Sequence, residues 1–410
     1  MRYLFALTAA STMLAASPAR ADIICEWMDF AAKTQAAAPS PQQPAFLTGE
    51  HERAATQVAL AMFEALNAID RRYESYLGFP RAAAGASPDA AAATAAYQVL
   101  LSHYPAQKSS IDESYSMAMD GITDAAAREA GRKVGVEAAA AALKAGTLDP
   151  SLPAIPYQPQ APVGVWVPTQ LPVFAPTYLT LKPWVIGKAD AVRPGPPPAL
   201  TSERYARDFD EVKRVGGKNS SVRTPHQTLM ARYRITPDMM PALRMIADQK
   251  DRRLVDNARM FALYQMVNDD ALLAIVDAKQ HYNFWRPITS IRNAEKDGNP
   301  NTVPEPGWEP LIQTPNHPEY PCGHCIGAGA IAELMKLEYG NKPAWGVRVA
   351  SRSIPNAAVQ VLPDWDKWAE DVNWSRTLGG VHYRFSNEAG DEMGRKIARM
   401  AVAKVMRPIR

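Results

Sequence analysis

Residues 251–285 read DRRLVDNARMFALYQMVNDDALLAIVDAKQHYNFW, and their pattern decides the fold class. Leu254, Ala258, Phe261, Leu272 and Val276 recur at multiples of three or four positions, the period of one helix face. One long helix over Asp251–Trp285 is predicted. Working outward, the same period returns from His51 to about Tyr76 through Val58, Met62, Leu66, Ile69 and Tyr73. Alanine-rich stretches at Asp89–Leu101, Asp112–Gly131 and Lys133–Ala145 consist of good helix formers broken by Gly or Pro. Ser202–Val215, Pro237–Ala247, Gly323–Tyr339 and His382–Val405 complete the set. Strand-like alternation is scarce, so the expected fold class is all-α, with helical bundles around a buried centre.

Between the two helical parts the composition changes. Residues 150–198 hold thirteen prolines, a density that no helix or central strand survives. Trp166, Phe174, Tyr178 and Trp184 lie in the same stretch, which reads as an extended strap packed on the helices; a flexible linker is the simpler alternative. The expected organisation is therefore an N-terminal helical region over 22–149, a Pro-rich connection over 150–200 and a C-terminal helical part over 201–410.

The first 21 residues have a different meaning. Met1-Arg2 is a short basic start, Tyr3 to Ala16 is apolar, and Ala19-Arg20-Ala21 supplies a small-x-small cleavage pattern. This predicts an export signal cut after Ala21, with the mature chain periplasmic or secreted. No later stretch has the roughly 18 apolar residues a span needs, so stable membrane insertion after cleavage is not expected. The net charge of +3, without a Lys/Arg run, argues against a nucleic-acid partner.

Three short stretches carry chemistry. Lys279-Gln-His-Tyr-Asn-Phe-Trp-Arg286-Pro287 spaces two cations by seven residues, two helical turns, which predicts both on one face. Pro321-Cys322-Gly323-His324 opens a helix; its exposed N–H groups attract anions, Gly323 permits close approach, and His324 can move a proton. Ser375-Arg376 adds a cation, and His382 a second imidazole able to attack phosphorus or ligate an oxyanion centre. Singly, each reads as a solvated basic face or a structural histidine. Together they describe an anion site.

The order Lys-x6-Arg-Pro, Pro-Cys-Gly-His, Ser-Arg-x5-His resembles the signature of the superfamily that unites vanadium-dependent haloperoxidases with type 2 phosphatidic-acid phosphatases and bacterial acid phosphatases. Glu211-Val-Lys213, Gly216-Gly217, Arg223-Thr-Pro-His-Gln-Thr228, Asp297-Gly-Asn-Pro300 and Pro318-Glu-Tyr-Pro321 extend the likeness to exported bacterial vanadium-dependent haloperoxidases, over roughly Pro162 to Arg399. The resemblance implies vanadate as cofactor, or phosphate as a substrate group. His382 would be its axial ligand or a phosphate nucleophile. Lys279, Arg286 and Arg376 would hold the equatorial oxygens with the Gly323 amide, and His324 would be the acid–base group. The implied reactants are hydrogen peroxide, a halide and an organic acceptor, or a phosphate ester. Three functions stay open on this basis: haloperoxidase, acid phosphatase with a phosphohistidine intermediate, or an oxyanion-binding protein whose activity has decayed.

The chain departs from the family where its Ser is Cys322. A hydroxyl donates a strong hydrogen bond to an oxyanion, and a thiol a weak one. Cys322-Gly-His-Cys325 is also a C-x-x-C, so a Cys322–Cys325 disulfide is expected, with pairing of either residue to Cys25, or inert cysteines, as the alternatives. His317 stands where the family has Phe in chloroperoxidases and His in bromoperoxidases, which points to bromide. Val276, where relatives often carry Trp, leaves the halide open.

Overall fold

The computed structural model describes residues 22–38, 50–146, 162–170, 177–354 and 356–409. The expected export signal at 1–21 and much of the Pro-rich connection lie outside the described residues. Thirteen α-helices and a three-stranded sheet occur among those described. No described helix is long and apolar enough to cross a membrane.

The N-terminal helices are α1 (Ile23–Ala37), α2 (Glu50–Ile69), α3 (Pro88–His103), α4 (Lys108–Asp120) and α5 (Ala125–Ala145). α3 begins where the Ser87 hydroxyl accepts the Ala90 N–H, with Pro88 at the first helical position. Two expectations are corrected. The helix predicted over Asp112–Gly131 stops at Asp120; the chain turns, and Asp124 caps α5 by accepting the Ala126 and Ala127 N–H groups at 3.0 Å. Gly131 does not break α5. A Cβ there would lie 2.4 Å from the Ser87 carbonyl oxygen, and one at Gly135 would lie 2.5 Å from that of Ala91. These glycines let α5 settle backbone-close on the alanine face of α3.

The C-terminal part holds α6 (Glu203–Gly216), α7 (Pro225–Tyr233), α8 (Met240–Ala247), α9 (Leu254–Tyr282), α10 (Pro287–Arg292), α11 (Gly323–Tyr339), α12 (Trp365–Leu378) and α13 (Arg384–Lys404). The helix expected over Pro237–Ala247 loses its first residues to a strand, β1 (Pro237–Asp238). β1 pairs antiparallel with β2 (Val347–Ser351), and β2 with β3 (Gln360–Leu362). α8 starts only after Asp238 Oδ1 has taken the Met240 N–H at 2.9 Å.

One cluster of buried apolar side chains runs from Ile23 through α2, α3, α5, α9 and α11 to Met406. A second, aromatic cluster of Tyr205, Phe209, Phe284, Trp285, Tyr320, Tyr383 and Phe385 lies between α6 and the segments flanking α10, α11 and α13. α11 and α13 approach closely because glycine lines their contact. A Cβ on Gly394 would meet the Ile326 carbonyl oxygen at 2.0 Å, and one on Gly390 the Cys322 carbonyl oxygen at 2.5 Å.

The described parts of the Pro-rich stretch are packed. Trp166 and Trp184 are buried. Asp270 of α9 accepts the backbone N–H groups of Trp184 (2.7 Å), Val185 (2.7 Å) and Ile186 (3.0 Å). Burial pushes its carboxyl up to about 7. Two turns further, Arg193 grips Asp277 bidentately at 2.8 Å. The backbone N–H groups of residues 184–186, which lie in no strand, thus find their acceptor on a helix.

Candidate oxyanion site

The first motif is not a helix face. α9 ends at Tyr282, and Asn283 turns the chain at φ 42°, a left-handed conformation that Asn tolerates. The strap braces this turn: Trp166 N–H donates to the Asn283 carbonyl at 2.8 Å and Trp285 N–H to the Gly164 carbonyl at 3.0 Å. Arg286 therefore comes back towards Lys279 from the start of α10, not from two turns along one helix.

Lys279 and Arg286 are both buried. Lys279 Nζ donates to the carbonyl oxygens of Pro318 (2.9 Å), Glu319 (2.8 Å) and Pro321 (2.5 Å). All three of its protons are committed to the turn that precedes α11. Desolvation, with Arg286 nearby, holds its pKa well below the ordinary lysine value. Arg286 donates through Nε to the His317 carbonyl (2.9 Å), and through Nη1 to the Val381 carbonyl (2.8 Å) and to His382 Nε2 (3.2 Å). Its Nη2 lies 3.0 Å from His317 Nδ1. Burial lowers the Arg286 pKa to about 10.

Arg376, near the end of α12, differs from the other two cations. It is 1% exposed, its Nε and Nη1 have no hydrogen-bond partner among the described residues, and burial lowers its pKa to about 9. Its neighbour Ser375 is buried and turns its hydroxyl to the Val372 carbonyl at 2.6 Å, within its own helix. After Arg376, Gly379 and Gly380 reverse the chain, Gly380 at φ 78° against the backbone of Gly216. His382 follows. It lies two residues before α13 rather than inside the helix expected from His382.

At the second motif, Cys322 caps α11, accepting the Cys325 N–H on its sulfur at 3.2 Å, and the two cysteines form a disulfide. Cys25 is buried and free. A Cβ built on Gly323 meets nothing nearer than Lys279 Cε at 3.9 Å. His324 Nε2 lies 2.8 Å from the Ile235 carbonyl, an acceptor only, so Nε2 carries the proton and Nδ1 the lone pair. Desolvation and then the Arg376 charge lower its pKa to about 3, so the ring is neutral over the working range.

A residue that motif reading missed completes the set. Glu319 is 0% exposed, and its Oε1 accepts the His382 Nδ1–H at 2.7 Å and the Tyr383 N–H at 3.2 Å. Burial raises its pKa to about 7 against the pull of Arg286 and Lys279. The available signal was the carboxylate inside Pro318-Glu-Tyr-Pro321. His382 itself is held neutral by desolvation and by Arg286, Lys279 and Arg376.

Residues 259–410 match the family described as the VCPO second helical-bundle domain. The vanadium chloroperoxidase of Curvularia inaequalis is 27% identical over 224 residues, 46% of this chain and 36% of that protein. The chain thus matches little more than a third of that relative's length. The crystal structure of the first bacterial vanadium-dependent iodoperoxidase superposes with a TM-score of 0.75 over 95% of this chain and 98% of that one, at 19% identity. The chain has the vanadium haloperoxidase fold. A holo-type bacterial vanadium-dependent chloroperoxidase agrees, with a TM-score of 0.68 over 90% of this chain and 96% of that one, at 18% identity.

The residues present fit a vanadate-like oxyanion. Arg376 offers two buried donor nitrogens, Nε and Nη1, that no atom of the described residues accepts from. Gly323 leaves room at a helix start, whose first N–H groups have no helical acceptor. Lys279, its three protons spent on carbonyls, would contribute charge from behind, and Arg286, bonded to two carbonyls and to the His317 and His382 rings, would add charge beside His382.

Proposed function

We propose that this chain is a vanadate-dependent haloperoxidase-type enzyme that oxidises a halide with hydrogen peroxide. The observation that carries the reading is the buried Arg376 guanidinium, with two donors lacking an acceptor, within the electrostatic reach of His382 and His324. Arg376 and the Gly323 amide would hold the oxygens of vanadate, and His382 Nε2 would ligate it. Bound vanadate would supply the electrophilic centre that activates peroxide.

The rest falls to the chain's own groups. His324 Nδ1, neutral and held in place through its Nε2–H on Ile235, would take a proton from peroxide. Lys279, Arg286 and Arg376 would stabilise the negative charge of a bound oxyanion, because they are buried and fixed before anything binds. His317, packed on Arg286, would tune the halide towards bromide. In this reading residues 201–410 carry the catalytic part, and the chain is exported; the Cys322–Cys325 disulfide suits an oxidising compartment. The test is to load the purified mature protein with vanadate and supply peroxide and bromide. A brominated product is expected, and none, with or without prior reduction of the disulfide, overturns the reading.

A second reading, a phosphomonoesterase with His382 as nucleophile, draws on the disulfide. The disulfide-bonded Cys322 sulfur has no proton to donate, so the site would hold an anion less firmly than one with a hydroxyl there, which suits a turned-over substrate. Hydrolysis of an aryl phosphate, inhibited by vanadate and lost in His382→Ala, would favour it.

A further inference from the structure

We infer that Glu319 is the positioning residue for His382, fixing the imidazole in the tautomer that leaves Nε2 bare. The inference rests on the oxyanion-site reading above but is carried by different contacts. Arg286 Nη1 lies 3.2 Å from His382 Nε2, and an arginine N–H can only donate. Nε2 therefore carries the lone pair, and the single ring proton sits on Nδ1, where Glu319 Oε1 accepts it at 2.7 Å. Ser386 Oγ, the other group near Nδ1, is at 3.4 Å and is a weaker partner. A histidine that ligates or attacks through one nitrogen is oriented by the hydrogen bond at the other.

Glu319 cannot swing away. Its N–H donates to the Phe284 carbonyl at 2.8 Å, its own carbonyl accepts from Lys279 Nζ at 2.8 Å, and its Oε1 also accepts the Tyr383 N–H. One residue thus joins the turn after α9, the first cation and the imidazole. Its carboxylate also offsets the charges of Lys279 and Arg286. Positioning and charge balance make opposite demands when Glu319 is changed, and this separates the role from a merely structural one. Removing the charge leaves the cations freer to attract an anion, yet weakens the imidazole.

The experiment uses the full chain, with Glu319→Gln and Glu319→Leu. Nitrogen-15 NMR of the imidazoles in anion-free protein is expected to show His382 wholly as the Nδ1–H tautomer in the wild type. In Glu319→Leu the 2.7 Å acceptor at Nδ1 is gone while the longer 3.2 Å Arg286 contact at Nε2 still favours that tautomer, so a mixture with Nε2–H is expected. Calorimetry with inorganic phosphate is expected to give Glu319→Gln an affinity equal to or tighter than wild type. Its turnover, of bromide or of aryl phosphate, is expected to fall about 10–100-fold. An unchanged tautomer in Glu319→Leu, or turnover in Glu319→Gln that merely follows affinity, overturns the inference. Should Glu319→Leu not fold, the split between affinity and turnover in the isosteric Gln variant decides alone. Failure of the wild type to bind phosphate or vanadate would instead defeat the oxyanion reading, and the tautomer measurement would still stand or fall by itself.

Discussion

Arg286 Nη1 and His382 Nε2 lie 3.2 Å apart, so the atom through which His382 would ligate or attack is already occupied by a guanidinium proton. Any oxyanion that reaches His382 has to exchange with that contact. The loss is small, because Nη1 keeps its 2.8 Å bond to the Val381 carbonyl, and the anion offers charged acceptors in return.

Arg376 is the donor set with nothing to lose. Arg376→Gln is expected to leave anion-free stability unchanged or raised, since it removes a buried cation with unpartnered N–H groups. Phosphate and vanadate affinity should fall at least about tenfold, the worth of a charge-assisted pair. Thermal melts with and without phosphate check both halves: the ligand-induced rise in Tm should shrink while the anion-free Tm holds.

Stability should depend on pH through the imidazoles. The folded-state pKa of His324 is about 3, below the ordinary 6.5, and those of His317 and His382 are lowered too. A histidine with a lowered folded pKa binds its proton more readily in the unfolded chain, so stability is complete above pH 6.5 and lost as pH falls. For His324 alone the loss at pH 5 is on the order of 1–2 kcal/mol. Denaturant midpoints at pH 7.5 and 5 measure it; His324→Gln should flatten the slope, and added phosphate should flatten it for all three rings.

Cys322 offers a chemical control. Reduction of the disulfide places a thiol at the start of α11, among buried cations that favour its thiolate. Reduced wild type is therefore expected to bind phosphate more weakly than oxidised protein. The double variant Cys322→Ser, Cys325→Ser should be indifferent to reductant and bind more tightly, because a hydroxyl donates. It should lose about 2 kcal/mol of stability, the chain-entropy value for so short a loop.

The α11–α13 contact is a place where one methyl group decides. Gly394→Ala puts a Cβ 2.0 Å from the Ile326 carbonyl oxygen, and backbone cannot yield as a flexible side chain does. A loss of at least about 2 kcal/mol is expected in chemical denaturation. Anion affinity should fall as well, since Gly323 opens α11 and His382 lies two residues before α13, the two helices that would be forced apart.

Much of this was legible in the sequence, for identifiable reasons. α11 starts at Gly323 and ends at Tyr339 as its apolar period and flanking Cys322 and Gly340 indicate. Motif spacing and family resemblance single out Lys279, Arg286, Arg376, Gly323, His324 and His382. What spacing could not give was the path between them. Nothing in the Lys279–Arg286 interval signals that Asn283 takes φ 42° and ends the helix; the same seven residues fit two helical turns equally well. Gly131 shows the converse, where a residue read as a helix breaker is a packing device. Glu319 stayed hidden because its partner is 63 residues away, and a lone carboxylate between prolines carries no periodic signal.

The strap has one more consequence. It is tied to α9 at Asp270 and at Asp277, Tyr282 hydroxyl reaches the Pro194 carbonyl, and Tyr320 hydroxyl reaches that of Gly195 at 2.8 Å. Residues 184–195 act as a splint laid along the last turns of the helix that delivers Lys279, lashed at several independent points. A single protease nick between two lashings should leave both fragments in place, whereas a one-residue insertion there would put every downstream lashing out of step.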